Sequence, residues 1–346
     1  MQKILTIVIP TYNMQDYLRS CLDSLIVSKE QMALLEVLVI NDGSNDNSSA
    51  IAHKYETKYP STFRVIDKKN GNYGSCINRG LKEAKGKYIK VLDADDWFDT
   101  AEFENYLYAL AEVDVDMVLT PFVTINENSG ISTLSSQPNL DEGAIGDFNT
   151  FSQNKIFRYS MHMITYRTEL LRSIHYKQTE GISYTDTEWT HIPQYTVKTF
   201  TWLNYPIYQY RIGREGQTMS TEVLARNIWK YEVICKSLID NANKYPNKEQ
   251  YPLADEFNIQ QITFLADNIY RMFLVEVKPS KEDMGHLKQF DAYIKTACPE
   301  AYRRTGISQM KKWLPIRHVK VWRATGIRIP IDIFRDLYRH LKYGSK

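Results

Sequence analysis

Residues 88–99 run Tyr88-Ile89-Lys90-Val91-Leu92-Asp93-Ala94-Asp95-Asp96-Trp97-Phe98-Asp99, an apolar stretch that ends in the carboxylates Asp93, Asp95 and Asp96. The apolar part has the length and composition of a buried strand. Like charges so close repel one another, so a strand end that holds them calls for a positive charge among them. Asp93 and Asp95 are two apart, so in an extended chain their side chains point the same way. A hard divalent cation, with open positions for phosphate oxygens, suits such a pair.

The segments on either side repeat the pattern. Ile4–Pro10, Leu35–Ile40, Phe63–Ile66, Tyr88–Asp93 and Met117–Thr124 read as strands, with helical stretches between them. Asn13 is expected to cap the first helix and Thr100 the fourth. Continuous apolar strands separated by helices predict a mostly parallel sheet covered on both faces. Ligands of such sheets bind at the carboxyl ends of the strands. That rule collects Thr11, Asn13, Asp42, Asp46, Asp93, Asp95 and Asp96 along one edge. From about 126 to 148 the chain turns polar, as an insertion or a surface hairpin would. Beyond Gly216 the pattern becomes long and helical.

Composition narrows the class. The chain has 346 residues, 43% hydrophobic and 24% charged, with a net charge of +2, which is ordinary for a globular protein of about two domains and gives no sign of nucleic acid as a partner. Cys21, Cys76, Cys235 and Cys298 are scattered, without a CxxC pair, which suggests a reduced, cytoplasmic chain. No apolar run is long enough to cross a bilayer, and the N-terminus reads as a strand and not a signal peptide. No GxGxxG follows the first strand, "GLKEAKGKY" misses the P-loop spacing, and "DGSNDNS" lacks the glycine and glutamate of a calcium loop.

The ordered set "IVIPTYNMQDYLRSCLDSL", "LEVLVINDGSNDNS", "NGNYGSCINRGLKEAKGKYIKVLDADDWF" and "YTDTEWT" resembles family-2 glycosyltransferases over residues 3 to 220 or so. The resemblance implies a GT-A fold (Rossmann-like, as in nucleotide-diphospho-sugar transferases) and an inverting enzyme of the bacterial surface-polysaccharide type. It implies a catalytic domain over 1–220 and a helical C-terminal region over 221–346. Pro10, Thr11, Tyr12, Asn13, Asp42, Gly74, Asn78, Asp93, Ala94 and Asp96 would then form the nucleotide-sugar pocket, with Asp42 accepting from the base, typically uracil. Asp95, with Asp93, would hold Mn2+ or Mg2+, and Asp186 would be the catalytic base. Arg211 and Arg214 fall in a segment similar to a loop that closes over donor and acceptor, where an ordinary surface turn is the other reading. Where many relatives have Arg and Glu, this chain has Ile77 and Thr185, so a phosphate-contacting cation would come from Lys69, Arg79 or elsewhere. His191 reads either as an ordinary histidine or as a second ligand or base.

The donor would be a UDP-sugar and the acceptor a glycan or lipid-linked hydroxyl. The alternatives are a sugar nucleotidyltransferase, for which "PTYNMQDY" lacks the glycine-rich basic loop, and a noncatalytic nucleotide-sugar-binding scaffold. From Lys311 onward there are ten Lys/Arg against two Asp/Glu. An amphipathic helix after Pro330, with Ile333, Phe334, Leu337 and Leu341 on one face, would contact an anionic membrane at the inner face of the cell or pack on protein, a homodimer partner included.

Overall fold

The computed structural model describes residues 3–136, 140–148, 160–213, 227–307 and 317–328. The chain divides into two compact units, one of Met1–Gln217 with Glu249–Leu253 and the other of Thr218–Lys248 with Ala254–Lys346.

In the first unit the strands are β1 (Leu5–Thr11), β2 (Leu35–Asn41), β3 (Phe63–Asp67), β4 (Tyr88–Val91), β5 (Trp97–Phe98), β6 (Met117–Leu119), β7 (Phe122–Asn126), β8 (Ser132–Ser135), β9 (Ile145–Asp147), β10 (Ile164–Arg167), β11 (Thr199–Trp202) and β12 (Tyr208–Ile212). An eight-stranded sheet runs β3-β2-β1-β4-β10-β6-β11-β9, and a four-stranded sheet runs β5-β12-β7-β8. β3, β2, β1 and β4 are mutually parallel. β10 inserts antiparallel between β4 and β6, and β9 closes the far edge antiparallel to β11. The sheet is therefore mixed, with its parallel half in the residues whose apolar runs predicted it. β2 is buried along its whole length, as a central parallel strand with both faces covered must be.

The helices that matter for the site are α1 (Leu18–Asp23), α2 (Lys29–Met32), α3 (Ser48–Lys58), α4 (Asn72–Glu83), α5 (Thr100–Glu112), α6 (Thr168–Ser173) and α7 (Asp186–His191). Helix α4 lies close on β1, because a Cβ on Gly80 would stand 2.4 Å from a methyl carbon of Val8. Only a residue without a side chain fits there.

Three local expectations are corrected. The segment 117–124 is not one strand: Pro121 has no N–H for a ladder, and the chain leaves the large sheet at Thr120 to start β7 in the small one. Asn13 caps no helix. It sits at φ 53°, its Oδ1 accepts from the Asn45 N–H at 2.9 Å, and α1 begins only at Leu18. The cap of α5 is Asp99, whose Oδ1 accepts from the N–H groups of Ala101 and Glu102, while Thr100 is already helical. A carboxylate also complements the positive end of the helix dipole.

The polar stretch after 126 does contain a hairpin, with β7 antiparallel to β8, and then supplies the edge strand β9. The second unit is helical: Trp229–Asn243, most of Pro252–Arg271, Lys281–Ala297, Pro299–Ile307 and His318–Thr325. There Arg323 donates to Asp291 at 2.7 Å and lies 3.6 Å from the Tyr302 ring centre, and Trp322 is buried. No helix among the described residues is long and apolar enough to cross a membrane. Arg214 and the amphipathic stretch after Pro330 lie outside the described residues.

Replacing Asp99 by Ala removes the α5 cap and is expected to lower stability by about 1 kcal/mol in urea unfolding, whereas Thr100→Ala should cost less.

Candidate active site

The carboxyl ends of β1, β2 and β4 hold most of the residues singled out in the sequence. After β1, Pro10 is part-buried and Thr11 is buried with its hydroxyl on the Ile9 carbonyl. Tyr12 is exposed, and the Asn13 N–H donates to the Ser44 hydroxyl. The turn after β2 is tied to this one, since the Asp42 N–H donates to the Thr11 carbonyl at 2.8 Å. Asp46 closes the same turn by accepting from the Gln15 and Ser48 N–H groups.

Asp42 is buried, and its carboxylate accepts from the Gly71 N–H at 3.0 Å and from the Lys68 ammonium. Lys68 also donates to Ser75 Oγ at 2.8 Å. The cation beside Asp42 is thus Lys68, a residue that sequence reasoning did not single out. Arg79 is engaged elsewhere, with Glu83, and Ile77 is fully buried core. Lys68 follows a strand end one residue after Asp67, the kind of position that the carboxyl-edge rule could have selected.

At the end of β4 the three aspartates separate into different surroundings. Asp93 is part-buried and accepts from the Tyr73 hydroxyl at 2.8 Å. Ala94 is buried beneath them. Asp95 keeps its side chain part-exposed, and its backbone carbonyl accepts from Arg211 Nε at 2.7 Å. Asp96 is buried, with one oxygen accepting from the Tyr208 hydroxyl and the other from the Arg211 N–H, both at 2.7 Å. Burial first, and then the neighbouring Asp93 and Asp95, push its carboxyl well above the usual range. Both donors come from β12, so the small sheet holds this loop.

Arg211 is a strand residue of β12. Its guanidinium lies 4.6 Å from the Trp97 ring centre and 5.1 Å from that of Tyr17, and pairs with Glu127. A cation held between two aromatic faces and a carboxylate is fixed in place. It stands as a support of the Asp95–Asp96 turn.

Asp93, Asp96 and His162 bring one ligand atom each to within 4.8 Å of one another. His162 precedes β10 and stacks on Tyr210 at 4.3 Å between ring centres. Burial, with the nearby Lys90 adding to it, lowers its pKa to about 3, so the imidazole is neutral near pH 7, which is the form that binds a metal. Its carbonyl is held by Lys90, fully buried in β4, whose ammonium donates to the His162 and Ile164 carbonyls at 2.7 and 3.2 Å. Sequence reasoning missed His162, because it lies far along the chain from the aspartates and in no motif.

Asp186 is the first residue of α7, after Thr185. Burial raises its pKa above the ordinary 3.8, while N–H groups at the helix start act the other way. Tyr210 links it to the other cluster: burial, then Asp96, Asp93, Asp95 and Asp186, all push that phenol up. Asp186 and the three aspartates thus all act electrostatically on the Tyr210 phenol. His191, at the other end of α7, bonds to Gln194 and is pushed down to about 3 by burial. Gly74 and Asn78 of α4 face the segment before Asp186: a Cβ on Gly74 would stand 2.0 Å from the Thr179 carbonyl oxygen, and the Asn78 amide bonds Gln178 and Glu180.

The joined turns after β1 and β2, the acidic loop after β4 and the part-buried Asp186 make up the candidate site, on a fold of the nucleotide-diphospho-sugar transferase class. Residues 6–175 match the model of glycosyl transferase family 2, and the chain belongs to that family. Among proteins similar in sequence are an uncharacterized glycosyltransferase, the MG025 homolog of Mycoplasma pneumoniae, 39% identical over 121 residues, and the minor teichoic acid biosynthesis protein GgaB of Bacillus subtilis, 26% identical over 297 residues. These matches cover 34% and 79% of this chain, which spans only 39% and 31% of the respective relatives. Among solved structures, residues 1–349 of S. aureus TarS in complex with UDP-GlcNAc share the fold, with a TM-score of 0.60 at 19% identity, covering 93% of this chain and 92% of that one.

Tyr208→Phe removes one donor from buried Asp96 and the acceptor of the Asp93 N–H. It is expected to cost about 1–3 kcal/mol of stability, read as a lower urea midpoint.

Proposed function

We propose that this chain moves one sugar from a nucleotide-diphospho-sugar, a UDP-sugar by its resemblance, to a hydroxyl of a glycan or lipid-linked acceptor in surface polysaccharide synthesis, with inversion at the anomeric carbon. The observation that carries this reading is the placement of Asp42 and of the Asp93–Asp96 loop at the carboxyl ends of β2 and β4, within residues that match glycosyl transferase family 2. The part of GgaB in minor teichoic acid biosynthesis and the UDP-GlcNAc bound by TarS support the substrate class.

In this reading the 10–13 and 42–46 turns hold the nucleoside, with Asp42, paired with Lys68, accepting from the base. A divalent ion would lie at Asp93, with Asp95 by the resemblance or with Asp96 and His162 by their spacing. The donor set fits: burial and the neighbouring Asp93 and Asp95 raise the Asp96 carboxyl, a strain that a cation would relieve, and a neutral imidazole beside them suits Mn2+ better than the oxygen-seeking Mg2+. When bound, the ion neutralises charge on the departing diphosphate. Asp186 accepts the proton of the acceptor hydroxyl as that oxygen attacks the anomeric carbon, and the C–O bond to the diphosphate breaks.

Thermal stabilisation by UDP with Mn2+, lost on adding EDTA, is the expected outcome of a nucleotide panel, because a ligand of the folded state raises the melting temperature by mass action. A shift with GDP alone would change the donor class, and no shift with any nucleotide would return the chain to a scaffold role. Asp186→Asn is expected to leave the UDP shift intact and reduce transfer by about 10²–10⁴-fold; unchanged transfer would remove Asp186 from the mechanism. Because the base works ionised and its pKa is raised, kcat/KM should fall as pH drops through a value above 3.8, and this acid limb should vanish in Asp186→Asn.

A further inference from the structure

We infer that Gly74 and Asn78, which the sequence motif assigns to the nucleotide pocket, are positioning residues for Asp186, acting through a strap at residues 176–181. The inference rests on the reading of Asp186 as the base.

The strap is docked on α4 along its length. Asn78 Oδ1 accepts from the Gln178 N–H, and its Nδ2 donates to the Gln178 carbonyl and to Glu180 Oε1, each at 2.8 Å. The side chain thus exchanges bonds with one backbone position as a neighbouring strand would, and both ends of its amide are in use. Gly71 accepts from the Gly181 N–H at 2.8 Å. Between these anchors Thr179 passes so close over Gly74 that a Cβ there would stand 2.0 Å from its carbonyl oxygen. Only glycine allows this approach.

The strap in turn grips α7 on both sides of Asp186. Gln178, fully buried, donates from Nε2 to the Thr185 carbonyl at 2.6 Å and to its hydroxyl at 3.0 Å, and Tyr176 donates to Gln178 Oε1 at 3.2 Å. Glu188, also fully buried, accepts from the Thr179 N–H and hydroxyl, both at 2.7 Å. The residue before Asp186 and the residue two beyond it are therefore both tied to 178–179. Helix α4 also carries Tyr73, whose hydroxyl holds Asp93. One helix thereby fixes both sets of carboxylates relative to each other. A misplacement of about 1 Å is enough to cost about 100-fold in rate.

The test compares full-length wild type, Asn78→Ala, Glu188→Gln, Asp186→Asn and the Asn78→Ala/Asp186→Asn double variant. Three quantities are read: hydrogen exchange of the 178–190 amides, UDP affinity with Mn2+ by calorimetry, and UDP release from UDP-GlcNAc with water as acceptor. Asn78→Ala and Glu188→Gln are expected to speed exchange over 178–190, leave the UDP Kd within about threefold, and lower kcat by about 10–100-fold. The double variant should be no slower than Asp186→Asn alone, because the lost support acts through that carboxylate. Gly74→Ala should follow the same pattern if it folds. Unchanged exchange over 178–190 in Asn78→Ala overturns the proposal whether or not the enzyme turns over. So does a UDP Kd weakened tenfold or more, which would put Asn78 on the nucleotide, or an additive loss in the double variant. Wild type that neither binds UDP nor releases it contradicts the proposed function instead, and the exchange rates of Asn78→Ala alone then decide whether the strap is held by α4.

Discussion

The structure is organised around a concentration of like charge that is partly withdrawn from water. Asp93, Asp95 and Asp96 sit where β4 ends, and Asp96 is buried. A buried carboxylate needs donors, and its own strand has none to spare, because the β4 backbone is committed to β1 and β10. The donors come from β12, a hundred residues further on, through the Tyr208 hydroxyl and the Arg211 N–H. The small sheet is therefore part of the acidic loop's support, and Arg211, packed between Trp97 and Tyr17, locks its outer edge.

The same logic recurs with other charges. Lys90 is fully buried, which lowers its pKa to about 7, and its amine is satisfied by the carbonyls of His162 and Ile164. Glu188 is buried and satisfied by Thr179, and Asp42 by Gly71 and Lys68. Each buried ionisable group spans two segments distant in sequence, so satisfying it also fixes where those segments lie. Burial thus serves geometry more than stability, since pairs of this kind gain little net free energy against their desolvation.

Much of the parallel half-sheet was legible because its signal is local. Residues 35–40 are apolar except for Glu36, and β2 is buried from end to end. The breaks were harder. Met117–Thr124 reads as one strand by composition, yet Pro121 parts it between two sheets. Asn13 and Thr100 are good caps by residue type, but Asn13 was drawn into the turn with Asn45, and Asp99, one residue earlier than Thr100, had the better reach. Cap choice depends on where the chain enters the helix, and that is set by packing.

The sequence by itself determined the parallel strands, the carboxyl edge on which Asp42 and Asp93 to Asp96 gather, and the family to which the chain belongs. Periodicity, apolar runs and short motifs are properties of neighbouring residues, so one strand and its turn suffice to show them. Only the tertiary structure decided that His162 joins Asp93 and Asp96, that Lys68 is the cation at Asp42, and that Asn78 is spent on the strap before Asp186. Those pairings join residues up to a hundred positions apart. They are chosen by which buried polar groups need partners once the sheets have closed, and that need does not exist until the chain is folded.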